Sequence, residues 1–221
     1  MNSTPVSLVQ HDGVALLTFD DGKVNAMSYS FLSQAYEAFS DAAAESSAIV
    51  IAGRPGYLSA GFDLTEVTKG PQERDAIIDT GGRLFGEIFR CPKPVVIACT
   101  GHAVAGGLVF LLTGDTRVGA LGSFRIGFNE VLINVPMPEF GIALTQYRVP
   151  PQFCEPVLLG DLLDPEQAKT VGLLDTVVEP GYVVDAAMAR ARELAGRGAQ
   201  AYATTKLRSR AGLLARFGLA G

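Results

Sequence analysis

Two short, wholly apolar runs, residues 48–52 and 95–99, each break into a turn of glycine and other small residues. Runs this short and this apolar are buried strands, since no polar face is left for water. The second turn opens directly into a helical pattern near Gly106. Strands alternate with helical segments over the first two thirds of the chain, and helices alone fill the last third. That order specifies an α/β fold with a helical C-terminal appendage. With 221 residues, 48% hydrophobic and 19% charged, the chain has enough apolar surface for one sizeable core.

The rest of the pattern agrees. Residues 6–9 and 14–19 flank His11-Asp12-Gly13 and read as an antiparallel hairpin. Ser28 is placed to cap a helix whose apolar positions are Phe31, Leu32, Ala35, Tyr36 and Phe39. Ile77, Ile78, Leu84, Phe85, Ile88 and Phe89 suit a second helix, stopped by Cys91-Pro92-Lys93-Pro94, and Gly101 is expected to end the strand after it. A strand pair is expected around 117–118 and 124–126, then helices over 142–147, 152–159, 165–171 and 183–195 and from 199 onward. No repeat or linker divides the chain, so one domain is expected: a core over 1–195 and a short C-terminal helical segment over 196–221.

Net charge is −5, which argues against a whole-surface nucleic-acid binder. From Arg190 onward there are seven basic residues against one acid, Glu193. Cys91, Cys99 and Cys154 lack metal-site spacing and read as reduced structural thiols. No secretory signal or Arg-rich transit sequence is visible at the N-terminus, and no run is long enough to span a bilayer, so a cytoplasmic protein away from membranes is expected.

The chemistry concentrates at three places. The turns Ser59-Ala60-Gly61-Phe62-Asp63 and Ala105-Gly106-Gly107 each offer unpaired backbone N–H groups, and a helix start adds the positive end of its dipole. Glu130, in Asn129-Glu130-Val131, supplies one carboxylate. Two amides on one developing oxyanion with one carboxylate beside it suit enolate chemistry on a thioester. Other chemistries fit less well. Gly56 to Gly61 is one residue too long for a nucleophile elbow, and two histidines, His11 and His102, support neither a Ser-His-Asp triad nor a metal site. Neither a GxGxxG nor a P-loop motif is present. His102, next to Gly101 at a strand end, reads as structural.

Residues 53–66, from Gly53-Arg54-Pro55-Gly56 to Leu64-Thr65-Glu66, resemble the first oxyanion-hole segment of the crotonase (enoyl-CoA hydratase/isomerase) superfamily. Residues 100–107, Thr100-Gly101-His102-Ala103-Val104-Ala105-Gly106-Gly107, resemble its second, and Lys23-Val24-Asn25-Ala26-Met27 is similar to its coenzyme A-contacting segment. The resemblance runs from about residue 5 to 210. It implies the ββα spiral of that family, with a shortened C-terminal helical part. It makes Ala60 and Gly106 the oxyanion donors and Glu130 the acid/base. Lys23, Asn25, Ala26, Ser59, Gly61, Phe62, Asp63, Leu64, Gly107, Val109 and Asn129 would line the substrate, with Lys206 and Arg208 near the ADP phosphates.

Hydratases of this family carry a second glutamate three residues after the second donor, where this chain has Val109. Retaining only the later glutamate is the pattern of the Δ3,Δ2-enoyl-CoA isomerases, whose Asn-Glu pair is similar to Asn129-Glu130. The resemblance therefore implies isomerisation of a 3-enoyl-CoA to the trans-2-enoyl-CoA. Hydration, decarboxylation, thioester hydrolysis or a silent acyl-CoA-binding role are the alternatives. Coenzyme A enters as part of the substrate, with no other cofactor, and the implied assembly is a homotrimer or a dimer of trimers. Segment 134–138, Asn134-Val135-Pro136-Met137-Pro138, differs from the glycine-rich turn of hydratases and implies a reshaped wall near the reacting carbons.

Overall fold

The structure is a computed structural model and describes residues 4–219. The chain opens with β1 (Val6–His11), β2 (Val14–Phe19) and α1 (Tyr29–Glu45). β3 (Ala48–Gly53) runs into β4 (Gly56–Ser59), followed by α2 (Leu64–Val67) and α3 (Pro71–Arg90). β5 (Val95–Cys99) runs into β6 (Gly101–Val104) and α4 (Gly106–Thr113). β7 (Thr116–Ala120) leads to β8 (Ile126–Gly127), a 3₁₀ turn at Val131–Ile133, and α5 (Glu139–Arg148). The remainder is α6 (Pro151–Leu158), α7 (Pro165–Thr170), β9 (Thr176–Val178), α8 (Val183–Ala195) and α9 (Ala199–Arg216).

A strand–strand–helix unit thus recurs three times. The first strand of each unit joins a six-stranded sheet of order β1-β2-β3-β5-β7-β9, parallel except for the β1–β2 hairpin. The second strand joins a small sheet of order β4-β6-β8, parallel throughout. This corrects two expectations. Gly101 does not end a strand but starts β6, and the strands near 117 and 126 do not pair with each other because they lie in different sheets. A Cβ at Gly101 would lie 2.0 Å from the Gly56 carbonyl, so only glycine lets β6 approach β4 this closely. β9 and the four-residue α2 carry too little periodicity to be read from sequence.

Alternation explains why the large sheet needs two apolar faces. On β3, Ile49 and Ile51 join the main core with α1 and α3, while Ala48, Val50 and Ala52 face the smaller cluster under α8. On β5, Val95, Ile97 and Cys99 face one way, and Val96 and Ala98 the other. Ser28 caps α1 as expected, its Oγ accepting from Phe31 N–H at 3.1 Å. Ile78, read with the apolar positions of α3, is 45% exposed because its neighbour Ile77 takes the inward position.

Candidate active site

The small sheet positions the chemistry. Its three strands are parallel, so their C-terminal ends share one edge, and each delivers one component. β4 ends in the Ala60–Asp63 turn, β6 in the Ala105–Gly107 turn, and β8 in Phe128-Asn129-Glu130. Val104 and Gly127 are in register, and Ala105 N–H donates to Gly127 O at 3.1 Å. The amide turn and the glutamate segment therefore leave the sheet side by side.

The hydrogen bonds decide which amides are free. Ala60, expected as a donor, has its N–H occupied: it donates to Val24 O at 3.0 Å. Gly61 N–H donates to Ser59 Oγ at 3.1 Å, and Asp63 N–H to Met27 O at 3.1 Å. Phe62 lies between them in a parallel bridge to Met27, which uses the Gly61 carbonyl and the Asp63 amide. That pattern turns the Phe62 N–H away from Met27, and no described residue accepts from it. The first turn's free donor is Phe62, not Ala60. Sequence reasoning missed this because all three amides look alike until their acceptors are known.

Gly106 is the first residue of α4, so its N–H has no partner within the helix. Ala105 before it takes φ 54°, a left-handed backbone that costs a non-glycine residue energy and aims the helix start. The two turns pack closely. A Cβ on Gly106 would lie 3.5 Å from the Phe62 ring, and one on Gly107 would lie 2.3 Å from Ser59 O. Gly107→Ala therefore has to push the turns apart. We expect acyl-CoA turnover to fall at least tenfold through misplaced donors, with secondary structure retained. Circular dichroism and steady-state kinetics on the variant check this.

Glu130 is half-buried, and burial raises its carboxyl above the usual range, opposed only by the backbone amides of Glu130 and Asn129. Its Oε2 accepts from Asn129 N–H at 3.0 Å. Its carbonyl accepts from Ile133 and Val135 N–H, and Asn134 at φ 61° closes that turn. Asn129 Oδ1 is buried and has no hydrogen-bond partner among the described residues. Val109 follows Gly106 by three positions on α4 and is 4% exposed. Cβ atoms built at Gly141 would lie 3.5 Å from Val109 Cγ2 and 3.1 Å from Met137 Cε, so this wall is apolar.

Several other expected contacts hold hydrogen bonds within the protein, and two lie exposed. The Asn25 side chain is fully buried: Nδ2 donates to the carbonyls of Phe19, Leu58 and Tyr57, and Oδ1 accepts from Asp21 N–H. Its carbonyl takes the Ser59 hydroxyl at 2.6 Å. Asn25 thus builds the floor under the first turn, at φ 52°, rather than facing a ligand. Ala26 N–H is held by Asp21 Oδ2. Asp63 caps α2, accepting from Thr65 N–H and Oγ1, and the Thr65 hydroxyl holds its carboxyl below the usual range. Leu64 is 63% exposed at the start of α2. Lys23 is exposed beside Val24, its ammonium unbonded among the described residues.

Lys206 is the clearest correction. Its Nζ donates to Asp115 Oδ2 at 2.7 Å and to Lys93 O at 2.8 Å, and its side chain is 6% exposed. It anchors α9 beyond the C-terminal end of α4, whereas the free amides sit at that helix's N-terminal end. His102 is structural as expected. Its Nδ1 accepts from Arg125 N–H, its ring packs between Tyr57 and Phe124, and burial lowers its pKa.

The chain belongs to the enoyl-CoA hydratase/isomerase family, whose model matches residues 10–215. It is 32% identical over 187 residues to the probable enoyl-CoA hydratase EchA17 of Mycobacterium tuberculosis, covering 83% of this chain and 71% of that protein. Among solved structures it is similar to the enoyl-CoA isomerase of M. tuberculosis, at TM-score 0.92 and 36% identity, covering 98% of this chain and 96% of that one. It is also similar to the human mitochondrial Δ3,Δ2-enoyl-CoA isomerase, at TM-score 0.92 and 26% identity, covering 96% and 85%. The fold is thereby that of the crotonase superfamily, and the protein is an enoyl-CoA hydratase/isomerase-family enzyme.

Proposed function

We propose that this enzyme isomerises a 3-enoyl-CoA to the trans-2-enoyl-CoA. The observation that carries the reading is a single carboxylate of raised pKa beside two free amides, with Val109 closing the position a second acid would need. The thioester oxygen accepts from Phe62 and Gly106 N–H. Glu130 takes a proton from C2, the electron pair moves into the thioester to give a dienolate, and the same carboxyl returns the proton to C4. The double bond shifts from C3–C4 to C2–C3 with nothing gained or lost. The chemistry asks for no metal or redox group, and the family resemblance makes exposed Lys23 a contact for coenzyme A. Human and mycobacterial relatives named as isomerases support the reading. The family resemblance extends it to a homotrimer or dimer of trimers, measurable by light scattering.

The test is product analysis with 3-hexenoyl-CoA and 3-dodecenoyl-CoA. Formation of the conjugated isomer supports the reading; absence of turnover with retained CoA-ester binding overturns it in favour of a binding role. The pH profile is a second check. Free Glu130 must be ionised to take the first proton, so kcat/KM falls as pH drops through its pKa, with the midpoint above that of an ordinary glutamate.

Hydration of a 2-enoyl-CoA is a second reading, favoured by relatives named as hydratases, EchA17 among them, and by the unpartnered Asn129 Oδ1, an acceptor for a water proton beside Glu130. Asn129→Leu separates the two, since it removes hydration and leaves isomerisation within a few-fold only if Asn129 holds the water.

A further inference from the structure

Between α5 and α9, away from the thioester site, two cations share one carboxylate and a third lies beside them. Asp115 is 8% exposed and accepts from Lys206 Nζ at 2.7 Å, Arg210 Nη2 at 2.6 Å, Tyr202 OH at 3.1 Å and Val95 N–H at 2.8 Å. Arg210 is 3% exposed, stacks on Phe89 and donates again to the Phe89 carbonyl. Arg148 lies over the Tyr147 ring at 5.1 Å and donates to the Leu112 and Gly114 carbonyls at the end of α4. Among the described residues no carboxylate pairs with Arg148.

Buried charges are normally matched by opposite charges. This cluster holds about two positive charges in excess, in a protein whose net charge is −5. Burial and the neighbouring guanidinium groups of Arg210 and Arg117 push Arg148 down to about 9, as crowded cations require. Lys206, Arg210 and Asp115 open onto a recess of about 480 Å³, bordered also by Arg197, Thr205 and Ser209, with Arg148 behind it. Lys206 uses two of its three protons within the protein, and Arg210 Nε–H has no described partner. Thr205 and Ser209, one turn apart on α9, border the recess from its exposed side.

We propose that this recess is an oxyanion-binding site for a phosphate or pyrophosphate group on a soluble ligand. The Lys206 and Arg210 protons left unpaired at the recess suit an oxyanion, which offers several acceptor oxygens at once. The exposed Thr205 hydroxyl supplies a further donor, whereas the Ser209 hydroxyl already donates to the Lys206 carbonyl. The site lies at the C-terminal end of α4, whose N-terminal end carries the Gly106 amide, so it is separate from the thioester site and independent of the isomerase reading.

The test is calorimetric titration with inorganic phosphate and with pyrophosphate at constant ionic strength set by sodium chloride. The expected result is saturable binding that Thr205→Glu, an exposed helical change placing a carboxylate at the rim, weakens at least tenfold. Thr205→Glu itself should raise Tm by neutralising excess charge. Three results would overturn the proposal. One is no saturable heat. Another is a thermal shift that chloride reproduces at equal ionic strength. The third is pyrophosphate binding unaffected by Thr205→Glu but lost in Lys23→Ala, which would place the anion at the thioester site.

Discussion

Glu130→Gln should lower turnover of 3-enoyl-CoA substrates by about 10²–10⁴-fold while leaving the protein folded. Glutamine keeps the size of the side chain and its acceptor oxygen for Asn129 N–H, but it neither takes nor returns a proton. The stability prediction has the opposite sign. A buried carboxyl with a raised pKa gives no penalty at low pH, where folded and unfolded states are both protonated. Above the unfolded pKa the folded state bears the cost of holding a charge in a poor solvent, and that cost is full above the folded pKa. Glu130→Gln removes it, so at neutral pH the variant should unfold at the same temperature as the wild type or higher. A large loss of activity together with a lower Tm would mean that Glu130 supports the fold, and the assignment of the acid/base would fail. The decisive comparison is thermal denaturation and turnover on the same preparation, with CoA-ester binding as a control for an intact site.

Asp115→Ala should have the largest effect on stability. Asp115 receives four hydrogen bonds, and its removal strands Lys206 and Arg210, both nearly fully buried, without a counter-charge. Breaking a buried ion pair from one side costs roughly 3–5 kcal/mol, because an uncompensated charge remains. Equilibrium denaturation in urea measures the loss, and amide exchange should place it in α9 and the start of β5, the elements that Asp115 ties together. Burial alone would raise the Asp115 carboxyl, but Lys206 and Arg210 outweigh it and hold the group below the usual carboxylate range. Its contribution is therefore present above the unfolded pKa and lost as pH falls through the lower, folded one. Asp115→Ala should accordingly flatten the acid side of the stability profile. A loss under 1 kcal/mol would show that the cluster does not anchor α9.

Much of this protein was legible in its sequence because it depended on local chemistry. Apolar runs at 48–52 and 95–99 specified buried strands, Ser28 specified a helix start, and the Leu84–Phe89 periodicity specified a core face. Glu130 and Val109 stood out through the resemblance to the crotonase superfamily, which makes the first the acid/base and puts the second where hydratases carry another glutamate. What the tertiary structure decided was where hydrogen bonds and charges end. Ala60 and Phe62 are neighbours with identical backbone groups. Only the arrival of Val24 and Met27, from more than thirty residues upstream, occupies one amide and leaves the other free. Asn25 looks like a ligand contact until Phe19, Tyr57 and Leu58 surround it. Lys206 looks like a surface cation until α9 folds back onto Asp115. Propensity and patterning act over a few residues and survive in the sequence, whereas the occupancy of a donor depends on an acceptor brought from elsewhere in the chain.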